Sequence, residues 1–179
     1  MTKETVKSVK EWVIYIAIVI AASLFIVTFI GQRTVVDGHS MNDTLQDGDN
    51  LVVDKLTYRF SDINRFDIVV FRNHNDKHLF YIKRIIGLPG ETVQIKGDEI
   101  YINGELLEED YGKEAMDSPG CAYEPITLGE DEYFVLGDNR NDSSDSRDPS
   151  VGNVQRDWIV GRAFLRITPF SKAGFLSGK

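Results

Sequence analysis

Few side chains in this sequence could carry out a reaction once each is tested against its neighbours. Ser40 lies in Gly38-His39-Ser40-Met41, just after the extended run Thr34–Asp37. The glycine lets the chain bend and a substrate backbone come close, so a serine held there can act as a nucleophile if a base takes its proton. A bland turn serine is the plain alternative. His39 is poorly placed as that base, because neighbouring side chains on an extended segment point to opposite faces. His74 and His78 flank Asn75, Asp76 and Lys77 in a segment that reads as an exposed turn with solvated histidines. The other candidate is Lys83, in the apolar run Leu79-Phe80-Tyr81-Ile82-Lys83-Arg84-Ile85-Ile86. Alternation sets Leu79, Tyr81, Lys83 and Ile85 on one face and Phe80, Ile82, Arg84 and Ile86 on the other. A lysine buried there is costly unless it gives up its proton or finds a partner, and a neutral amine is a general base. The alternative is that Lys83 reaches along the strand to an edge. Arg84 cannot be the neutral group, since guanidinium keeps its proton in proteins.

Metal chemistry finds no support. No histidine pair has ligand spacing with a third donor nearby, and Cys121 is the lone cysteine, so the usual zinc sets and an internal disulfide are both excluded. The aspartate-dense stretch 137–157 fails as a calcium loop. A register starting at Asp138 puts Arg140 at the third position, Ser143 where glycine is needed and Pro149 where glutamate is needed. No metal and no cofactor are expected.

The elements that must position these residues read as strands: Thr34–Asp37, Leu51–Asp54, Asp67–Arg72, His78–Ile86, Thr92–Lys96, Glu99–Asn103, Glu132–Leu136 and Trp158–Ile167. They are rich in Val, Ile, Phe and Tyr and bounded by Gly, Asp, Asn and Pro. Gly97-Asp98 and Asn103-Gly104 are hairpin turns, so residues 92–107 form a small meander. A turn or two of helix fits near 42–46 and 55–65. Residues 108–131, acidic and broken by Gly112, Pro119, Gly120 and Pro125, read as an exposed loop or flap. Residues 137–157 are almost wholly polar, and a loop that long in a compact domain is functional or disordered.

Ahead of all this, Trp12 to Ile30 is 19 residues without a charge. That length spans about 30 Å of hydrocarbon as a helix. A cleaved secretory leader would have a shorter apolar region ending in a small-x-small site, and this run exits instead through Phe29-Ile30-Gly31-Gln32-Arg33. Lys3, Lys7 and Lys10 against Glu4 and Glu11 favour a cytoplasmic N-terminus. The expected layout is a short cytoplasmic segment 1–11, a transmembrane anchor 12–31 and an extracytoplasmic domain 32–179. The expected fold class is mainly β: a compact antiparallel β domain behind a single N-terminal transmembrane helix. The whole chain carries a net charge of −8, which argues against a nucleic-acid partner because phosphate binding needs a basic face.

Taken together, these segments resemble bacterial type I signal peptidases over nearly the full length and in that family's order. Gly38-His39-Ser40-Met41-Asn42-Asp43-Thr44-Leu45 is similar to the nucleophile box. Arg65-Phe66-Asp67-Ile68-Val69-Val70-Phe71 is similar to the strand box that follows it. Tyr81-Ile82-Lys83-Arg84-Ile85-Ile86-Gly87-Leu88-Pro89-Gly90-Glu91 resembles the lysine box, and Gly137-Asp138-Asn139-Arg140-Asn141-Asp142-Ser143-Ser144-Asp145-Ser146-Arg147 the last one. The resemblance implies a membrane-anchored serine endopeptidase that removes signal peptides from exported preproteins, with Ser40 attacking and Lys83 taking its proton. It implies that Ser143 hydrogen-bonds the lysine amine, that Asp145 and Arg147 pair to hold their loop, and that Asp138 is a supporting residue. Gly38, Met41, Leu45, Tyr81 and Ile82 would border the substrate, the last four around shallow pockets for its residues at −1 and −3. The implied partners are preproteins and the lipid bilayer. Two positions depart from the pattern: Asp43 stands where the family has proline, and Phe66 where it has glycine. Some members also supply a hydroxyl two residues before the nucleophile, where this chain has Gly38. That leaves the Ser40 N–H as the identifiable oxyanion donor.

Two readings from other classes compete. A tethered β domain that binds envelope partners explains the anchor and strands but gives no reason for Lys83 in an apolar run. A self-cleaving cytosolic repressor with Ser/Lys chemistry would need a DNA-binding domain where residues 1–31 offer an apolar span.

Overall fold

The computed structural model describes residues 3–25, 31–42, 44–76, 78–112 and 114–176, with side chains from residue 10 onward. Helix α1, Lys3–Phe25, opens the chain. All its side chains from 10 to 25 are exposed, Trp12, Ile16 and Leu24 among them, so none of this apolar surface is buried in the β domain. Among the described residues no helix is long and apolar enough to cross a membrane. The end of the uncharged run, 26–30, lies outside the described residues.

The rest is mainly antiparallel β structure, as the alternating pattern led one to expect. The larger sheet runs β1 (Gly31–Val35), β2 (Asn50–Asp54), β11 (Ile159–Thr168), β3 (Ile68–Arg72), β4 (Phe80–Gly87), β9 (Glu132–Leu136) and β10 (Val154–Gln155), with β12 (Gly174–Phe175) paired to β11. The smaller sheet has the order β7 (Glu105–Leu106), β6 (Glu99–Ile102), β5 (Thr92–Lys96), β8 (Ile126–Thr127). The expected meander over 92–107 is thus present. The strand placed at Thr34–Asp37 begins earlier and stops at Val35, because pairing with β2 ends at Val35–Asn50. The two-residue strands were not foreseen; two residues carry no alternation to read.

Both faces of the large sheet are covered over its centre. Ile86, Phe134 and Leu136 meet Val93, Ile95, Ile100 and Ile102 of the small sheet in one core. On the other side Val69, Phe71, Ile85, Tyr133 and Val135 pack with Val151 and Val154. A third cluster of Val36, Met41, Leu45, Leu51, Ile68 and Ala163 lies under the Ser40 turn. This is the physical reason β3 reads as a continuous apolar run.

The segment 108–131 is not a free flap. Glu109 takes a two-pronged bond from Arg140 at 2.8 and 3.0 Å, Met116 and Ala122 are buried, and Gly120–Tyr123 forms a 3-10 turn. Residues 137–157 are likewise ordered, held by the charged side chains that made them look loop-like. The helical turn foreseen near 55–65 is a 3-10 turn at Thr57–Arg59.

Candidate active site

The Ser40 turn is built by its own backbone. The Val36 N–H bonds the Asp49 carbonyl at 2.9 Å, the Gly48 N–H returns to the Val36 carbonyl at 2.9 Å, and the Leu45 N–H reaches the Met41 carbonyl at 2.8 Å. Gly38 takes φ +98°, a region that L side chains rarely adopt, and its N–H donates to Asp47 Oδ1 at 2.9 Å. Met41 and Leu45 point down into the core, and the bend turns Ser40 outward.

Lys83 approaches from β4, whose register sets Val69 opposite it and Ile68 opposite Arg84. Its Nζ lies 2.7 Å from Ser40 Oγ and donates to the Ile82 carbonyl at 3.1 Å. The side chain is only 3% exposed and forms no ion pair among the described residues. Burial pushes the amine down to about 8; the nearby carboxylates of Asp145 and Asp138 offset part of that depression. The Tyr81 ring flanks the amine at 5.3 Å. The edge-reaching alternative therefore does not describe Lys83.

The third part is the segment after β9. It docks on the Ser40 turn through Asn139, whose N–H donates to the Ser40 carbonyl at 3.0 Å and whose Nδ2 donates to the His39 carbonyl at 3.1 Å. Three arginine–carboxylate forks lock this segment. Arg84 grips Asp138 at 2.8 and 2.6 Å, both side chains fully buried. Arg140 grips Glu109, as above. Arg147 grips Asp145 through Nε and Nη2, each at 2.9 Å, and Asp145 also accepts the Gly137 N–H at 3.0 Å. Gly137 itself must be glycine, since a Cβ there would strike Ser143 Oγ and the Ser40 carbonyl.

Two expected site residues are placed differently. Ser143 Oγ is buried beside Gly137 and has no hydrogen-bond partner among the described residues, so the expected bond to the lysine amine is not formed in this structure. Leu45 is fully buried in the core under the turn and is not among the residues lining the cleft. Gly38, Met41, Tyr81 and Ile82 do line it. The cleft has a volume of about 310 Å³ and opens between residues 34–41 and Phe80–Lys83. Sequence reasoning missed Asn139, which lay inside the last box without being singled out, and the Arg140–Glu109 fork. His74 is exposed but stacks on Trp158, ring centroids 5.4 Å apart, and His39 and His78 are exposed.

The departure at Phe66 has a structural consequence. Phe66 sits at φ +71°, a left-handed conformation suited to glycine. It is held there because its N–H bonds the Ile85 carbonyl at 2.8 Å, its carbonyl accepts Arg84 Nη1 at 2.9 Å, and its ring packs 5.1 Å from Tyr111. Asp43, the other departure, lies outside the described residues.

The Ser40 turn and the Lys83 strand, joined at one hydrogen bond, invite comparison with known proteins. The family described as signal peptidase, peptidase S26, matches residues 9–168. The chain belongs to that family. It is a peptidase. Signal peptidase I P of Bacillus subtilis subsp. natto is 38% identical over 182 residues, covering 96% of this chain and 97% of its own length. A probable signal peptidase I-2 of Synechocystis sp. is 40% identical over 156 residues, 84% of this chain and 69% of that protein. A crystal structure of a signal peptidase I from Enterococcus faecalis V583, 35% identical, superposes with a TM-score of 0.48 over 57% of this chain and 97% of that one.

Proposed function

We propose that this peptidase is a membrane-anchored serine endopeptidase that removes N-terminal signal peptides from exported preproteins, with Ser40 as nucleophile and Lys83 as general base. The observation that carries the reading is the 2.7 Å contact between Ser40 Oγ and a buried lysine amine lowered to about 8. With the amine neutral, the Ser40 hydroxyl donates to it. Attack on the scissile carbonyl passes that proton to Nζ, and the ammonium can then protonate the departing amine. Water enters, gives its proton to the same nitrogen as it attacks the acyl carbonyl, and the ammonium returns that proton to Ser40 Oγ as the acyl group leaves. The Ser40 N–H has no hydrogen-bond partner among the described residues and is available to the oxyanion.

The cleft also suggests how substrate binds. β9 pairs β4 only over Arg84–Gly87, so Phe80 to Lys83 present one unpaired backbone edge. An extended peptide can add there, facing residues 34–39 across the cleft. Met41, Tyr81 and Ile82 leave space for small side chains at −1 and −3. No step needs a metal or a cofactor.

The apolar run 12–30 is read as the anchor, with residues 1–11 cytoplasmic and the β domain outside. It supports the proposed substrate class, because preproteins present their cleavage sites at that membrane surface. The deciding experiment incubates the purified full chain with one preprotein and measures product masses. Cleavage after a small-x-small sequence is expected in the parent and none with Ser40→Ala. Efficient cleavage of a substrate with Leu or Lys at −1 would refute the pocket assignment. Protease added to spheroplasts should digest the β domain and spare the N-terminal tail; protection of the domain would reverse the topology.

A further inference from the structure

Among the described residues six arginines of this acidic chain are paired with carboxylates. Four other cations, Lys55, Arg59, Arg72 and Arg156, line one cavity of about 360 Å³ and form no ion pair among the described residues. Lys55, Arg59 and Arg72 make no side-chain hydrogen bond there either. Arg156 donates to the Tyr133 hydroxyl at 3.0 Å and to the carbonyls of Tyr58 and Ser61 at 3.1 and 3.4 Å, all uncharged. Among the described residues Asp157 is the one carboxylate lining the cavity, which shares none of them with the Ser40–Lys83 cleft. Cations that line one cavity repel each other, and an anion with several acceptor oxygens relieves that repulsion; guanidinium forks match phosphate geometry in particular.

The cavity's place in the fold says where such an anion comes from. β1 begins at Gly31, directly after the uncharged run, and Gly31 pairs with Asp54. Lys55 therefore lies one residue from the point where the chain enters the domain. Phe60, beside Arg59, is 83% exposed. A basic pocket flanked by a protruding aromatic ring suits the layer where lipid headgroups meet acyl chains.

We propose that Lys55, Arg59, Arg72 and Arg156 form a binding site for a phosphate-bearing anion, supplied by the headgroup of an anionic lipid. The lipid source rests on the anchor reading above; the phosphate chemistry does not. The test is a thermal melt of the full chain in neutral detergent micelles with one of three additions: inorganic phosphate, phosphatidylglycerol, or phosphatidylcholine of the same chain length. Phosphatidylglycerol should raise the melting temperature by several degrees, phosphate at millimolar concentration should do so less, and phosphatidylcholine should not. Lys55→Gln/Arg59→Gln/Arg72→Gln, which removes no internal side-chain bond among the described residues, should lose most of the shift, as should the exposed single variant Arg59→Glu. No shift with either phosphate species, or an unchanged shift in both variants, overturns the site. A shift with phosphate alone, or an equal shift with phosphatidylcholine, overturns the lipid source. Ser40→Ala should abolish cleavage and keep the lipid shift, which separates this site from the catalytic reading. Alkaline carbonate extraction tests the anchor independently: release of the chain would refute it and leave the phosphate melt to decide the site.

Discussion

Lys83 and Arg84 are neighbours on β4, 3% and 1% exposed, on opposite faces of one strand. The Arg84 face is filled with partners. Asp138 takes both prongs of the guanidinium, the Phe66 carbonyl takes a third bond at 2.9 Å, and the Tyr111 ring lies 3.6 Å from the guanidinium carbon. The Lys83 face offers a hydroxyl, one carbonyl and apolar walls. Burial with a partner keeps a charge in place, whereas burial without one pushes an amine toward neutrality. One strand thus holds a permanent cation that fixes the 137–147 segment and a dischargeable one that can do chemistry. Each half of that comparison can be broken.

The largest effect is expected on the reactive face. Ser40→Ala and Lys83→Ala should each lower preprotein cleavage by at least ~1000-fold, about 4 kcal/mol of transition-state stabilisation, with the fold retained by circular dichroism. Residual activity above a few per cent in either variant would detach the chemistry from this pair.

On the structural face the loss should appear as stability. Asp138→Ala leaves Arg84 buried and unpaired, which costs about 3–5 kcal/mol. Chemical denaturation should show the loss, and cleavage should fall with it because the segment carrying Asn139 is released from Ser40. A change under 1 kcal/mol would mean that Arg84 finds another partner.

How much of this contrast was legible in the sequence depends on how local each relation is. Alternation located the long strands within a residue or two, except β1, which starts three residues before the expected Thr34, and the cost of Lys83 in an apolar run could be stated from its neighbours alone. The forks could not, because Arg84 and Asp138 are 54 positions apart and Glu109 and Arg140 are 31 apart. The acidic segment 108–131 looked free for the same reason: its anchors Glu109 and Tyr111 bind residues from other elements. The depth of Leu45 was not legible either, because a residue in the Ser40 turn can face the cleft or the core, and only the packing under the turn decides.

Lys83→Met sharpens the comparison by removing the unpaired charge and keeping the volume. The folded amine lies at about 8 against an ordinary 10.5. The unfolded state therefore binds more protons between those values, and stability rises with pH across that window. Below pH 8 the penalty is present in full, of order 3 kcal/mol. The methionine variant should be inactive, yet at least as stable as the parent in a melt at pH 7, and its advantage should shrink toward pH 10. Cleavage by the parent should climb as pH passes about 8. A variant that melts several degrees lower at pH 7 would mean that Lys83 is charged and stabilising, and the general-base role would lose its physical support.

The smallest effect should come from Ser143. Its hydroxyl is buried without a partner among the described residues, against Gly137 and near the Ser40 carbonyl. Removing an unsatisfied hydroxyl gives up no bond and abolishes a desolvation cost, so Ser143→Ala should be neutral or slightly stabilising, within about 0.5 kcal/mol. Activity should behave differently. Once Ser40 has passed its proton to Lys83, the new ammonium needs acceptors beyond the Ile82 carbonyl, and the Ser143 hydroxyl is a free one close to Ser40. On that account kcat falls by about 10-fold or more, consistent with orienting a base rather than acting as one, while KM stays nearly constant. Equal kcat in variant and parent would show that the hydroxyl stays unpartnered throughout turnover. A stability loss above 1 kcal/mol would show instead that it is bonded in the resting enzyme.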